Sequence, residues 1–270
     1  MNYTLYYYSG AGNTEYISRQ MKRAIAAGGH DVTLKRITRD SMDDADNGFD
    51  AAGVGFPIHF RDAPELVYDF LGRLDGRKRS IFLYCTKGLY SGNAMRNILA
   101  LSEQRSFVPR GGIEFTMPGT DALLFFAAKG SNLERMLKAI HTRKIASKIG
   151  DFVARLEAAR SLTFPPVKWY TSIDERIVKP LEIRANNKYE DFIGQFHIVN
   201  ERCNECLLCV KACPRDNIRS SGHGIEFGAD CDVCLGCIHR CPTEAIQIAA
   251  KTLDTVRWNP SREWKSMRPT

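Results

Sequence analysis

The sequence has no long apolar run. The longest, residues 122–128, is seven residues, far short of the roughly 20 that a membrane-spanning helix needs. The opening stretch Met1-Asn2-Tyr3-Thr4-Leu5 lacks the basic n-region of a secretory signal. A soluble, cytoplasmic protein is therefore expected. There is also no G-x-G-x-x-G fingerprint followed by a ribose-binding acid, which argues against a dinucleotide site of that type. In the most basic segment, residues 129–190, 13 Lys/Arg face 7 Asp/Glu; a scattered basic face of this kind is usually solvated and does not bind nucleic acid. The rest of the chain is close to balanced, so the formal net charge of +7 is largely local.

Cysteine is almost absent from the first 202 residues, with Cys85 alone, and then abundant: eight of the nine fall between Cys203 and Cys241. With no secretory signal, a disulfide framework is disfavoured, and spacing becomes the informative feature. Cys203, Cys206, Cys209 and Cys213 recur at an offset of 28 as Cys231, Cys234, Cys237 and Cys241; Pro214 and Ile218 recur as Pro242 and Ile246. Each run reads C-x2-C-x2-C-x3-C-P. Three thiolates at this spacing wrap one cubane, and the fourth, displaced by a longer step and a proline, reaches the other cluster. Cys203, Cys206, Cys209 and Cys241 are expected at one [4Fe–4S] cluster, and Cys213, Cys231, Cys234 and Cys237 at a second. Structural zinc uses separated C-x2-C pairs and gives no reason for the third and fourth cysteines. At these residues, over about 198–250, the chain resembles the bacterial-type two-cluster ferredoxins, which implies one-electron transfer at low potential.

Before the cysteines, short Val/Ile/Tyr-rich runs alternate with helical patterns. Strands are expected at residues 5–8, 32–37, 51–56, 81–85 and 112–117, with helices between them and a long final helix over 133–162. Such alternation predicts an α/β fold with a doubly wound parallel sheet. Residues 163–195 have little periodicity and read as a linker. The organisation expected is a 1–162 domain, a 163–195 linker and a small α+β cysteine domain with its tail at 196–270.

Ser9, Gly10, Ala11, Gly12, Asn13 and Thr14 lie between the first strand and first helix, where a phosphate would meet backbone N–H groups and the helix dipole. Two later strand ends carry Pro57, Ile58, His59 and Phe60, and Thr86, Lys87, Gly88, Tyr90 and Gly92, on the sheet edge where ligands bind in order 2-1-3-4-5. These three loops in this order resemble the flavodoxins over about residues 3–160, and the whole chain resembles the flavodoxin–ferredoxin fusion proteins of anaerobic microbes. The resemblance implies a five-stranded sheet of order 2-1-3-4-5 and FMN. Its phosphate would sit on Ser9, Gly10, Gly12, Asn13 and Thr14, and Tyr90 or Phe60 would flank its ring. Ala11 departs from the family's usual hydroxyl residue, and His59-Phe60 matches its large aromatic only loosely. Two clusters and a flavin phosphate would offset most of the positive charge.

The expected function is a low-potential relay between FMN, two clusters and partner redox proteins. The alternatives are an FMN-dependent reductase of a small molecule such as a quinone, and a flavin-free ferredoxin whose first domain only docks partners. Cys85 is expected to be core, His59 to face the flavin or cap its loop, and His141, His223 and His239 to be packing or surface residues. Residues 124–126 are expected in the core or over the flavin loops, and Trp258 and Trp264 to pin the tail.

Overall fold

Strands buried on both faces require near-continuous apolar runs, and residues 51–56 and 81–86 supply them. The computed structural model describes residues 1–42, 48–158, 163–166, 193–222 and 224–263. In it β1 (Asn2–Tyr7), β2 (Asp31–Arg36), β3 (Ala51–Pro57), β4 (Ser80–Lys87) and β5 (Val108–Thr116) form one parallel sheet of order 2-1-3-4-5. The sheet is flavodoxin-like, as expected. Edge strand β5 alternates buried and half-buried residues, and it tolerates Pro109 because an edge need not donate on both sides.

Helices cover both faces. α1 (Asn13–Ala27) and α6 (Ile145–Glu157) bury Ile17, Met21, Ile25, Ile149, Phe152 and Val153 on one side. On the other, α2 (Glu65–Arg73) and α3 (Ala94–Gln104) bury Val67, Phe70, Leu71 and Ile98. Each such side chain contributes about 1.5–3 kcal/mol by leaving water, so the first domain has an ample core of its own. Cys85 is fully buried in it.

The single helix expected over 133–162 is instead two, α5 (Asn132–Ala139) and α6, and residues 159–162 lie outside the described set. The break has a tertiary cause. The Thr142 amide donates to the Thr116 carbonyl at 2.8 Å, and the Thr142 hydroxyl accepts from the Thr116 amide at 2.8 Å. These bonds draw residues 140–144 to the end of β5, and Lys144 takes a left-handed φ of 53° before α6 starts. Between β5 and α5 the short α4 (Thr120–Phe126) buries Leu123 and Leu124, while Phe126 is exposed.

The cysteine region repeats as a structure. β6 (Phe196–Ile198), α7 (Leu208–Ala212) and β7 (Ile218–Ser221) recur 28 residues on as β8 (Gly224–Phe227), α8 (Gly236–Arg240) and β9 (Ile246–Ile248). β6 pairs with β9 and β7 with β8, both antiparallel, so each ladder joins the two halves. Even the backbone outliers repeat: Glu205, Leu207 and Asp216 have positive φ, as do Val233, Leu235 and Glu244. A last short helix, α9, spans Pro260–Glu263. Most of the expected linker, His223 and Trp264 lie outside the described residues. Among the described residues no helix is long and apolar enough to cross a membrane.

Candidate functional site

The carboxyl ends of β1, β3, β4 and β5 open on one cavity of about 240 Å3. It is lined by Ser9, Gly10, Ala11, Asn13 and Thr14 from the first loop, by Pro57, Ile58 and His59 from the second, and by Thr86, Lys87, Gly88 and Tyr90 from the third. Three expected site residues do not line it. Gly12 packs against Pro260, Phe60 is mostly exposed, and Gly92 is a structural pin: a Cβ there would lie 1.8 Å from the Arg61 carbonyl oxygen. Sequence reasoning missed Arg61, Leu89, residues 117–121 and Cys234 in the wall. Arg61 and Leu89 belong to loops already singled out, and residues 117–121 follow a recognised strand. Nothing in the sequence pointed to Cys234.

The loops are braced from behind. Asp62 accepts hydrogen bonds from the Tyr68 hydroxyl at 2.5 Å and from Asn97 Nδ2 at 3.0 Å, which fixes the turn after β3. The Thr14 and Thr86 hydroxyls are hydrogen-bonded at 2.8 Å, tying the first loop to the third. Asn13 is engaged in scaffolding at both ends of its amide: Nδ2 donates to the Pro118 carbonyl at 3.1 Å and Oδ1 accepts from Trp258 Nε1 at 2.7 Å. The carbonyls of Ser9 and Gly10 are taken by Arg36 Nη2 and Arg240 Nε, at 3.2 and 2.9 Å.

These residues fit a phosphate-bearing flavin. α1 starts after Gly12, at φ 110°, with no side-chain cap, so its first amides have no side-chain acceptor. Ser9 is 1 % exposed and its Oγ has no hydrogen-bond partner. A buried hydroxyl without a partner costs about 1–3 kcal/mol, and a phosphate oxygen would satisfy it. His59 Nδ1 is a second buried polar atom without a partner in the same wall, and burial lowers the imidazole pKa to about 4, keeping it neutral. The hydroxyl of Thr14 and the side chain of Asn13 are already engaged, so those positions would serve a phosphate chiefly through their backbone amides.

The eight clustered cysteines border two separate voids. Cys203, Cys206, Cys209 and Cys241 line one; Cys213, Cys231, Cys234 and Cys237 line the other. Among the described residues no three His, Cys, Asp or Glu side chains sit close enough to share one metal ion; a cubane holds its thiolates farther apart than a single ion does. Backbone amides already point at the sulfurs: Asn217 to Cys213 at 3.3 Å, Val233 to Cys231 at 3.3 Å and Ala245 to Cys241 at 3.2 Å. Burial pushes the Cys231 thiol up to about 12 and raises Cys234 and Cys237 as well. For Cys241 burial also acts upward, but hydrogen bonds from Thr243 and nearby amides outweigh it and the net shift is down.

The second void adjoins the first cavity. A Cβ on Gly10 would lie 2.4 Å from the Cys234 carbonyl oxygen and 2.9 Å from its Cβ, so only glycine allows this approach. The contact is surrounded by specific bonds. Arg36 Nη2 donates to the Ala212 carbonyl at 2.5 Å, Arg240 Nη2 to Glu15 at 2.8 Å, and Arg215 bridges Glu65 on α2 and Asp232 at 2.7 and 2.8 Å. Arg39 pairs with Asp230. Leu124 of α4 packs with Val233, Leu235, Ile238, Ile246 and Ile248, and Leu123 packs with Val256 and Trp258. Trp258 is fully buried and its amide donates to His239 Nδ1 at 3.0 Å. Trp258 and His239 are thus packing residues at this seam, and residues 123–124 belong to it too.

Residues 196–219 match the family model described as a 4Fe-4S binding domain. The chain therefore carries a 4Fe–4S domain as well as its flavodoxin-like sheet, an architecture of electron-transfer proteins. Among solved structures, it is similar to the Streptococcus pneumoniae TIGR4 flavodoxin, at 14% identity over 58% of this chain and 99% of that one, with a TM-score of 0.44. It is also similar to the two-electron reduced Megasphaera elsdenii flavodoxin, at 22% identity over 54% and 98%, TM-score 0.38. A third is the rubredoxin oxygen:oxidoreductase of the anaerobe Desulfovibrio gigas, at 16% identity over 58% of this chain and 37% of that one, TM-score 0.38.

Proposed function

We propose that the protein relays electrons between FMN in the cavity at the sheet edge and two [4Fe–4S] clusters, in the order flavin, near cluster, far cluster, partner protein. Cys213, Cys231, Cys234 and Cys237 hold the near cluster; Cys203, Cys206, Cys209 and Cys241 hold the far one. One observation carries the reading: Cys234 borders both the flavin cavity and the near void. A bound FMN would supply a centre that takes up two electrons and releases them singly, whereas each cluster passes one at a time, so the assembly converts between the two modes.

The chain's own residues give the relay its geometry. Ser9 and the amides after Gly12 hold the phosphate; Pro57, Ile58, His59, Lys87, Gly88 and Tyr90 border the ring; neutral His59 offers a hydrogen-bonding nitrogen. Gly10 sets the closeness of the two redox sites, and the arginine bonds around it hold their orientation. Cys206 is exposed, which suits the far cluster to exchange with an external donor or acceptor. The domain organisation that follows is a flavin domain at 1–162 joined by residues 163–195 to the cluster domain.

The test is anaerobic flash reduction of the flavin in the holoprotein, with cluster bleaching followed by absorbance. Cluster reduction at a rate independent of protein concentration supports the relay. A rate proportional to concentration, or no transfer, contradicts it. A second reading, direct reduction of a small molecule such as a quinone, is favoured by the mouth of the cavity, where the lining residue Leu89 is 79 % exposed. Turnover of a soluble quinone without partner protein would select it.

A further inference from the structure

Tyr8, the residue after β1, is fully buried between the flavin cavity and the near void. Its ring meets the His59 ring edge-on, with centroids 5.8 Å apart and planes at 83°. Its hydroxyl donates to Asp232 Oδ2 at 2.8 Å, and the Cys234 side chain is close enough to act on the same phenol. Asp232 has a second partner, since Arg215 Nε donates to its Oδ1 at 2.8 Å. A phenol has one proton to give. Once Cys234 ligates iron as a thiolate, both neighbours of that hydroxyl are acceptors and compete for the same proton.

We propose that the Tyr8 hydroxyl is a two-position donor, aimed at Asp232 when the near cluster is oxidised and at the Cys234 sulfur when it is reduced, and that this choice sets the cluster's potential. It rests on the reading above that Cys234 is a cluster ligand. In the oxidised state the carboxylate is the stronger acceptor. One electron entering from the flavin side spreads over the cluster sulfurs, and Cys234 then gains more from the donor. Asp232 can release the hydroxyl because Arg215 still satisfies it. The move is a rotation about the tyrosine C–O bond: the proton stays on the phenol oxygen, no proton is taken from solvent, and the charge balance is that of the single electron. Hydrogen bonds to cluster sulfurs are a principal control of potential. Tyr8 acts here as a positioning residue and is not itself a redox centre.

The test is an anaerobic redox titration of the full-length holoprotein, read by electron paramagnetic resonance, with iron and sulfide counted on every sample. In Tyr8→Phe, one of the two cluster waves should move to lower potential by about tenfold in the reduction equilibrium, ~59 mV for one electron. In Asp232→Asn the same wave should move to higher potential, because the competing acceptor is weakened. The other wave should stay fixed. In the double variant the Asp232→Asn shift should be smaller than in wild type, since no hydroxyl remains to be released. Unchanged waves in Tyr8→Phe with full iron, shifts of the same sign in both single variants, or strict additivity would each overturn the proposal. Should Asp232→Asn fail to assemble, the conservative Tyr8→Phe alone decides. Wild-type protein lacking two clusters would instead overturn the parent reading, a separate and recognisable failure.

Discussion

Gly10→Ala tests the seam between the two domains at its tightest point. The added methyl would sit 2.4 Å from the Cys234 carbonyl oxygen, 2.9 Å from its Cβ and 3.2 Å from its carbonyl carbon. Two of those atoms are backbone, so no rotamer change relieves the clash. Either the first loop or the Cys234 segment must move, and both belong to proposed cofactor sites. Overpacking of this kind costs about 1–3 kcal/mol. For a chain of this size that corresponds to a fall in Tm on the order of 2–12 °C. Gly72→Ala is the matched control: it lies in α2, and its added methyl meets nothing within 4 Å. The control should gain about 0.4–1 kcal/mol through reduced freedom of the unfolded chain. The assay is thermal unfolding of both variants with cofactors counted, paired with the flash experiment. Gly10→Ala should lose stability and slow flavin-to-cluster transfer, with Gly72→Ala affecting neither adversely. If Gly10→Ala is as stable as the control and transfers electrons at the wild-type rate, the two sites are not in the contact described.

Arg215→Ala should cost about 3–5 kcal/mol, read by chemical denaturation, because it strands the nearly buried Asp232 carboxylate; Glu65→Gln, at an exposed partner of the same arginine, should change stability by less than about 1 kcal/mol. His59 is held neutral in the fold, with a pKa lowered by burial to about 4 against an ordinary 6.5. The unfolded chain therefore binds the extra proton first as pH falls. Stability should drop between about pH 6.5 and 4, by at most about 1.4 kcal/mol per pH unit, and His59→Gln should flatten that slope in pH-dependent unfolding. Cys213→Ala should perturb the cluster of Cys231, Cys234 and Cys237 and leave the other one's resonance signal intact. A signal lost only from the Cys203, Cys206 and Cys209 cluster would contradict the exchange of fourth ligands.

The sheet was legible in the sequence because parallel strands buried on both faces must be apolar almost throughout, and residues 51–56 and 81–85 are. The cysteine repeat was legible for a chemical reason: the number and spacing of thiolates leave few geometries open. Two features were not. The break at residues 140–144 depends on Thr142 bonding to Thr116, a tertiary demand that overrides a helical pattern. The seam depends on pairs more than 200 residues apart, such as Tyr8 with Asp232 and Trp258 with Asn13. Gly10 shows the limit well. In the sequence it is one glycine of a phosphate loop; in the fold it is also the place where the cluster domain touches that loop. Asn13 shifts the other way, from expected phosphate ligand to a scaffold whose side chain bonds to Pro118 and Trp258.

The most direct test of the account is iron, sulfide and flavin quantified on one anaerobic sample of the full chain. About eight irons, a matching amount of sulfide and one FMN per chain is the predicted result. Full iron with no FMN after incubation with excess flavin would contradict the relay, and zinc in place of iron would contradict the cluster assignment itself.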